Sequence, residues 1–256
     1  MKTPISPGNS PVVRPVKTRN TPELGPVSEL GPVSVLAATE PDYRLLKALM
    51  GFQGRNSRHL FTANLHVGSG SIAGVSLCGP FIGAPCGAMI LETLIAWGVT
   101  RLVFLGWCGA VSKAVRIGDM ILPTGALVDE GTSLHYLRET MEIIPPSDLI
   151  LARTRQALAS DGMTCHEGLV WTTDAAFRET REAVLSFQKR GVLAVEMELS
   201  ALLSVGSFHG VEVGGLLVVS DELSDLAWKP GFKSDRFKQG RNHAAETVRK
   251  LCEVLL

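Results

Sequence analysis

Short, strongly apolar runs alternate along the chain with longer segments in which apolar residues recur every three or four positions. The run 211–221 (VEVGGLLVVSD) is apolar through most of its length, which is typical of a buried strand. In the segment 86–97 the apolar side chains fall on one face of a helix, and Gly98 follows as a stop signal. The same patterns predict strands at 33–38, 60–67, 71–78, 100–106, 117–124, 168–173, 192–197 and 211–221, and helices at 42–50, 86–97, 147–162, 178–191, 198–210 and 236–256.

This alternation predicts an α/β fold in which one central, mostly parallel (mixed) sheet is covered by helices on both faces. No composition break or second linker follows residue 34, so residues 34–256 are predicted to form a single domain. Ligands of such sheets bind beyond the carboxyl ends of the strands. The functional residues are therefore sought where the strands end.

Residues 1–33 have a different texture, with seven of the fourteen prolines and little apolar periodicity. The hexapeptide ELGPVS at 23–28 is repeated at 29–34, but two copies are too few for a solenoid. We predict an extended, proline-stiffened arm that is partly disordered. The alternative, an arm that lies across a neighbouring subunit, stays open.

Composition excludes several classes of partner. The 25 Lys and Arg residues balance 25 Asp and Glu residues, so no general basic field favours nucleic acid or an anionic membrane surface. The longest apolar runs are too short to span a bilayer, and the first residues lack the apolar core of a signal peptide. The five cysteines are scattered without a C-x-x-C pair, which favours a reducing, cytoplasmic location over a disulfide framework or a zinc site. With no ligand cluster in the sequence, no metal or organic cofactor is predicted.

Two acidic residues bracket a methionine where the strand 192–197 becomes a helix: Glu196, Met197 and Glu198. A carboxylate can accept hydrogen bonds from two neighbouring sugar hydroxyls, and a methionine supplies an apolar floor. The structural alternative is that Glu198 favours a helix N-terminus and Met197 belongs to the core. Spacing alone does not separate the two interpretations.

Another acidic position, Asp221, follows Ser220 at the end of the most apolar strand. A carboxyl that is partly removed from water tends to keep its proton, which suits a proton donor. The structural alternative is a helix cap formed by Ser220 or Asp221, and from local spacing alone the cap is favoured.

Two further segments carry candidate groups. Phe177 in WTTDAAFRETRE, with Glu179 and Arg181 close by, can stack on a flat base and bond its edge, or can simply lie at a helix start with paired surface charges. His135 in EGTSLHY is a lone histidine, and such residues are more often structural or solvent-facing than catalytic.

Together and in this order, these segments resemble the nucleoside phosphorylase and nucleosidase superfamily over residues 34–256. The segment 82–122, from IGAPCG to GDMIL, is similar to the family's stretch of I-G-G-P-S, G-T-x-G and V-G-D motifs. DEGTSLHY resembles the D-G-A-S-L-H-F of uridine phosphorylases, AVEMELSALL the V-E-M-E signature, and VVSDE the S-D of the purine-acting branch.

The resemblance implies a role for each matched residue. Met197 and Glu198 would hold the ribose, Asp221 would protonate or hydrogen-bond a departing purine at N7, and Phe177 would stack on the base. Arg236 is the best match to the arginine that the purine branch pairs with its aspartate. Further substrate-binding positions implied are Glu196, Ser220, Glu179, Arg181, Gly83, Gly106, Trp107, Cys108, Asp42, Arg58 and His135. The family also implies a homo-oligomer, a trimer or a hexamer of dimers, in which a neighbour completes each site.

The positions that would hold phosphate depart from the family pattern. Phe104 matches the strand arginine, Trp107 matches the threonine of G-T-x-G, and Tyr43 matches an early arginine. Arg58 lies near the position of the arginine that a neighbouring subunit lends. The sequence predicts a glycine-bracketed turn within 104–111 (FLGWCGAV), whose backbone N–H groups would offer only a shallow anion nest.

The resemblance implies cleavage of the N-glycosidic bond of a nucleoside, with two nucleophiles open. Phosphorolysis, with phosphate as cosubstrate and pentose 1-phosphate as product, is favoured by its frequency in the family. Hydrolysis by water is the alternative, and Asp42 falls where nucleosidases place the carboxylate that activates water. A purine is favoured over a pyrimidine, because Glu179-Thr180-Arg181 lacks the glutamine of the uridine phosphorylases' Q-x-R. A homologue that binds nucleosides without cleaving them is a further hypothesis.

Overall fold

The structure is a computed structural model that describes residues 13, 15, 30–52, 57–137 and 141–256. The predicted arm, residues 1–33, lies almost wholly outside the described residues, so its conformation stays a prediction. Within the described ranges, no helix is both long enough and apolar enough to cross a membrane.

Strands and helices alternate through most of the described ranges. The strands are β1 (Val33–Ala37), β2 (Ser57–Leu60), β3 (Ala63–Val67), β4 (Val75–Gly79), β5 (Arg101–Ala110), β6 (Met120–Asp129), β7 (Ile143–Ile144), β8 (His166–Thr173), β9 (Ala194–Glu196), β10 (Glu212–Glu222) and β11 (Lys229–Pro230). The α-helices are α1 (Glu40–Leu49), α2 (Ala84–Ala96), α3 (Asp148–Ser160), α4 (Arg181–Lys189), α5 (Leu199–His209) and α6 (Asp235–Leu255). Every predicted helix is present, because each combines an apolar face with a local start or stop signal.

All the described strands join one sheet in the order β11-β10-β6-β8-β9-β5-β1-β4-β3-β2, and β7 pairs with β6. Because β10 pairs with both β6 and β5, the strands β5, β10, β6, β8 and β9 close into a ring. Parallel pairs (β1–β4, β1–β5, β5–β10, β6–β8 and β8–β9) are mixed with antiparallel ones. The predicted single-domain α/β fold with a mixed sheet is confirmed; the antiparallel pairs are β2–β3, β3–β4, β5–β9, β6–β7, β6–β10 and β10–β11.

The alternation of side chains along β5 divides the core into two. Phe104 belongs to a buried cluster with Leu91 of α2 and Leu202 of α5. The next residue, Leu105, belongs to a second cluster, which includes side chains of α1, α3 and α6 such as Leu46. Helices therefore cover both faces of the sheet, and each large apolar side chain buried between them contributes about 1.5–3 kcal/mol of transfer free energy.

The segment 104–111 does not form the predicted turn. Strand β5 continues to Ala110 because β10 pairs alongside it as far as Glu222. Gly106 serves close packing instead, since a Cβ there would lie 2.7 Å from the tip of the Phe104 ring. An extended strand does not form the concave run of N–H groups that an anion nest requires, so the predicted nest is wrong for this segment.

Three other local predictions need correction. The run 60–67 is divided into β2 and β3 at Phe61, which adopts a φ of 56° in the connecting turn. Strands β7 and β11 are missed because two residues carry no periodic signal. No helix begins at Asp221, since β10 extends through Glu222; the helix-cap interpretation is therefore wrong.

Candidate functional site

A pocket of about 600 Å³ opens at the carboxyl ends of β1, β5, β9 and β10. Its floor lies at a gap in the sheet, because β1 pairs with β5 only up to Leu105 whereas β9 pairs with β5 from Gly109 onward. Trp107 and Cys108 lie within this gap and line the pocket. The volume is in the range of small-molecule sites, roughly 300–1,000 Å³.

Nine of the sequence-predicted site residues line this pocket. They are Trp107, Cys108, Phe177, Glu179, Glu196, Met197, Glu198, Ser220 and Asp221. Thr39, Trp228 and Phe232 also line it, although the sequence did not single them out. For Trp228 and Phe232 the only signal in the sequence was that the segment after β10 contains aromatic residues, and these have no regular spacing.

The other predicted residues are absent from the described lining: Gly83, Gly106, Asp42, Arg58, His135, Arg181 and Arg236. Arg236 is exposed and forms an ion pair with Asp119. The Arg181 guanidinium donates to the carbonyl oxygen of Leu226 at 3.3 Å. The partner of a long side chain is the acceptor that lies nearest in space, and a match to a family motif along the sequence does not reveal which acceptor that is.

Glu198 is buried where β9 gives way to α5, and it is anchored by a residue distant in the sequence. The backbone N–H of Gly83, the N-cap of α2, donates to Glu198 Oε1 at 2.6 Å. Gly83 has a φ of 82°, which a residue with a side chain disfavours. Burial raises the pKa of Glu198, and the N–H groups of Gly83 and Met197 oppose that rise. The Gly83 contact fixes this carboxyl group at the pocket wall.

Glu196 has both carboxyl oxygens bonded within the protein. Its Oε2 accepts the N–H groups of Glu198 and Leu199 at 2.8 and 2.7 Å, and the Thr172 hydroxyl donates to Oε1. These bonds satisfy two N–H groups at the start of α5. Burial, and then the charge of Glu198, raise the pKa of Glu196. The geometry supports a positioning role for Glu196, which differs from the predicted contact with substrate.

Asp221 is also held by donors from the protein. The Ser220 hydroxyl donates to Oδ1 at 2.6 Å, and the indole N–H of Trp228 donates to Oδ2 at 2.9 Å. On the adjacent strand a Cβ at Gly109 would lie 3.1 Å from Oδ2, so the glycine leaves room for this carboxylate. Donors of the protein therefore orient both oxygens of Asp221.

Glu179 lines the same pocket from the segment between a 3-10 helix (Ala176–Arg178) and α4. No described residue donates a hydrogen bond or forms an ion pair with its carboxyl group. Burial, and then the charge of Asp221, raise the pKa of Glu179 from its ordinary 4.5 to about 7. Glu179 is therefore a half-buried carboxyl group that is mostly protonated below about pH 7.

The ionisable side chains of the described pocket lining are mostly acidic. Glu179, Glu196, Glu198 and Asp221 contribute carboxyl groups, and the described lining contains no Lys, Arg or His. Phosphate gives up strong hydration, which cationic and often bidentate donors normally replace; this lining offers none. Across the described ranges, no group of three His, Cys, Asp or Glu side chains is arranged to hold a metal ion.

A buried ion pair lies behind Trp107. The Trp107 indole N–H donates to Asp42 Oδ2 and the Arg241 Nε donates to Asp42 Oδ1, each at 2.5 Å. The guanidinium also lies over the aromatic rings of Trp107 and Phe237, at 5.3 and 5.7 Å from their centroids. Burial raises the pKa of Asp42, and Arg241 is the main group that opposes this rise. Asp42, the predicted water-activating carboxylate, is thus engaged with Arg241 behind the pocket.

The rim of the pocket is apolar and open. Phe177 is fully exposed, and the side chains of Ile82 and Trp228 are 73% and 63% exposed. Large apolar residues that are this exposed and line one opening mark a surface suited to a ligand or a partner. Phe177 is at the pocket, as predicted, but no other ring of the described residues packs on it.

A buried polar cluster supports the pocket from below. Glu130 accepts a hydrogen bond from the Ser200 hydroxyl at 2.9 Å, and the Ser204 hydroxyl donates to Ser133 Oγ at 3.0 Å. Ser133 belongs to the 3-10 helix Ser133–His135, so the segment EGTSLHY ties a loop to α5. Sequence reasoning quoted the segment of Glu130 without assigning that residue a role, and it missed Ser200 and Ser204 because polar residues within an apolar run look like interruptions of it.

Comparison with curated proteins finds relatives over part of the chain. A guanosine phosphorylase of Halorubrum lacusprofundi is 30% identical over 149 residues, which are 58% of this chain and 61% of the relative. The chain matches between 61% and 64% of the length of such curated relatives.

Comparison with solved structures supports the fold. The uridine phosphorylase of Vibrio fischeri superposes with a TM-score of 0.74 at 23% identity, over 88% of this chain and 93% of that one. The 5′-methylthioadenosine/S-adenosylhomocysteine nucleosidase of Helicobacter pylori superposes with a TM-score of 0.72 at 19% identity, over 87% and 97% of the two chains.

The family assignment rests on a match along most of the chain. A sequence profile of the phosphorylase superfamily matches residues 32–256, which include every described strand and helix. The matched region also contains the nine predicted residues that the fold gathers in one pocket. The chain therefore belongs to the phosphorylase superfamily.

Proposed function

We propose that this protein is an enzyme that cleaves the N-glycosidic bond of a purine nucleoside, with water as the nucleophile. The observation that carries the proposal is the carboxyl-rich lining without a cation, in a pocket of about 600 Å³ at the strand ends. Such a lining accepts hydrogen bonds from sugar hydroxyls and base N–H groups. It also favours a sugar that becomes cationic in the transition state.

Glu198 and Met197 are the residues proposed to hold the ribose. Glu198 is fixed by the Gly83 N–H, so its carboxylate needs no reorganisation when the sugar binds. A carboxylate beside the ribose also stabilises the positive charge that develops at C1′ as the bond to the base breaks. At Met197 and Glu198 the family signature and the geometry of the pocket agree most directly.

The base is proposed to lie between the strand end of β10 and the apolar rim. Asp221 is held as a hydrogen-bond acceptor by Ser220 and Trp228, which suits the ring edge of a purine. Arg181, which a pyrimidine-binding Q-x-R motif would direct to the base, donates to Leu226 instead. The guanosine phosphorylase relative also acts, by its name, on a purine nucleoside.

Water is preferred to phosphate because of the region around Trp107. The indole occupies the position of the G-T-x-G threonine, and Arg241, the nearby cation, is paired with Asp42. Thr39 lines the pocket at the end of β1. Its hydroxyl oxygen is buried and lies near enough to Asp42 to help stabilise that carboxylate, so Thr39 supports the Asp42–Arg241 pair and offers no donor to a phosphate.

Phosphorolysis is the second candidate, favoured by the 30% identity to the guanosine phosphorylase. It would require a cation from outside the described lining, such as a neighbouring subunit. We also propose a homo-oligomer, because Ile82 and Phe177 form an exposed apolar rim that a second copy would cover.

The test is base release from a panel of purine and pyrimidine nucleosides, with and without inorganic phosphate, and identification of the sugar product. We expect free sugar from purine nucleosides at a rate that phosphate does not raise. Glu198→Gln should lower kcat/KM by about 10²-fold or more, whereas Glu182→Gln, on the exposed side of α4, should leave it unchanged. Phosphate-dependent release with pentose 1-phosphate would replace hydrolysis by phosphorolysis, and no release from any nucleoside would refute an enzymatic role.

A further inference from the structure

Two carboxyl groups meet at the base end of the pocket in different surroundings. Asp221 accepts one hydrogen bond on each oxygen, from Ser220 and from Trp228. The carboxyl of Glu179 lines the same pocket without a donor or a cationic partner among the described residues. A carboxyl group that is partly removed from water and has no donor on either oxygen tends to keep its proton.

Hydrogen bonds of the two residues that follow Glu179 hold its segment of the chain in place. Thr180, the next residue, caps α4 by accepting the Ala183 N–H at 3.2 Å. Arg181 ties the same segment to the loop after β10 through the Leu226 carbonyl oxygen. That loop also carries Trp228, whose indole bonds Asp221. One connected set of contacts therefore positions both carboxyl groups in the same pocket.

No cationic side chain among the described residues forms an ion pair with the Glu179 carboxyl group. Asp221 on β10 is the charge that acts on it most strongly. Glu196 and Glu198, at the end of β9, line the same pocket and are also carboxyl groups, and burial raises the pKa of each. The nearest cations in the sequence are on its own segment, and neither Arg178 nor Arg181 forms an ion pair with it in the described structure.

We propose that Glu179, not Asp221, is the general acid that protonates the leaving base, and that Asp221, with a protein donor on each oxygen, orients the base. This inference rests on the proposed N-glycosidic cleavage. The bond from C1′ to the base nitrogen breaks, its electron pair goes to the base, and the Glu179 proton is transferred to the purine at N7. Water forms the new bond to C1′ and loses a proton to solvent, and solvent returns a proton to Glu179.

The protonation state of Glu179 agrees with this role. Burial and the charge of Asp221 raise the pKa of Glu179 to about 7, and a general acid is most effective when its pKa lies near the working pH. A group that must be protonated gives a rate that falls as pH rises through its pKa. The kcat for a purine nucleoside should therefore decline above about pH 7.

The experiment compares Glu179→Gln and Asp221→Asn on two substrates: the best purine nucleoside and a 4-nitrophenyl riboside, whose nitrophenolate leaves without protonation. Glu179→Gln should lower kcat for the nucleoside by about 10²-fold or more, lower it for the nitrophenyl riboside by less than about tenfold, and remove the decline above pH 7. Asp221→Asn should mainly raise KM for the nucleoside. Glu182→Gln is the matched control carboxyl on α4, and thermal melting verifies that each variant is folded.

Three results would overturn the inference. Asp221 would be the acid if Glu179→Gln retained wild-type kcat while Asp221→Asn lost activity on the nucleoside but kept it on the nitrophenyl riboside. Equal loss of both substrates in Glu179→Gln would make Glu179 a binding residue only. A wild-type enzyme that cleaves nucleosides with no decline in kcat above neutral pH would refute a Glu179 acid even without a folded variant. Failure of the proposed function is distinct, because the wild-type protein itself would then release no base.

Discussion

At the scale of single residues, Trp107 is the side chain that most distinguishes this pocket. Its indole N–H satisfies one oxygen of Asp42, whose side chain is completely buried, and Arg241 satisfies the other. A buried carboxylate that loses a donor is left with an uncompensated desolvation penalty. Trp107 therefore serves stability as well as the shape of the site.

Trp107→Phe should destabilise the protein, because it keeps an aromatic ring but removes the N–H that Asp42 accepts. We expect a loss of about 1–3 kcal/mol in the free energy of unfolding, measured by denaturant titration. In an Asp42→Ala background the same substitution should cost clearly less, since the acceptor is already absent. An equal loss in both backgrounds would show that the Trp107–Asp42 hydrogen bond contributes little.

At the scale of elements, the start of α4 links stability to the site. Thr180 accepts the Ala183 N–H and so ends the irregular segment that carries Phe177 and Glu179. Helix α3 has an equivalent cap, in which Ser147 accepts the Ile150 N–H at 3.4 Å. Neither Ser147 nor any residue of α3 lines the pocket. The two caps therefore differ in distance from the site, and the Ser147 hydroxyl makes one further bond, as a donor to Glu212.

Removal of either cap should lower the free energy of unfolding, but only removal of the Thr180 cap should lower kcat. Thr180→Ala and Ser147→Ala should each reduce the free energy of unfolding by about 1 kcal/mol, measured by denaturant titration. Thr180→Ala should also lower kcat several-fold, because it loosens the segment that positions Glu179. Wild-type kcat in Thr180→Ala, with the stability loss present, would separate this segment from catalysis.

At the scale of the whole molecule, charge is unevenly distributed. The chain carries no net charge at pH 7, yet Glu179, Glu196 and Glu198 are packed into one pocket where the pKa of each is raised. For such groups the folded protein binds protons more tightly than the unfolded chain does. The stability that they contribute is greatest when they are protonated, and it is lost as pH rises through their folded pKa values.

The free energy of unfolding should therefore fall between about pH 5.5 and about pH 8.5. Glu196→Gln keeps the size of the side chain but cannot ionise, so its decline over this range should be smaller by about 1 kcal/mol or more. Glu167→Gln is the control, because its bonds to Arg155 lower the pKa of Glu167 and keep it ionised throughout this range. An identical decline in wild type and Glu196→Gln would contradict the argument.

Much of the fold could be predicted from the sequence because periodicity and caps are local. The apolar spacing in 86–97 and the uninterrupted run in 211–221 identify α2 and β10 without any knowledge of their neighbours. The order of short motifs, from the glycines near α2 to the V-E-M-E of β9, also predicts the superfamily. Local patterns failed where the chain departs from them, as at 104–111, where pairing with β10 extends a strand through an apparent turn.

The sequence by itself determined the elements, the family and a set of candidate residues at strand ends, because each depends on windows of a few residues. Only the tertiary structure decided how those residues are used. Gly83 and Glu198 are 115 positions apart, and Asp42 and Arg241 are 199 apart. Such contacts depend on how the closed ring of strands and its helices pack, and burial there changes protonation. Packing therefore left Arg236 at the surface, engaged Asp42 with Arg241, and set Glu179 beside Asp221.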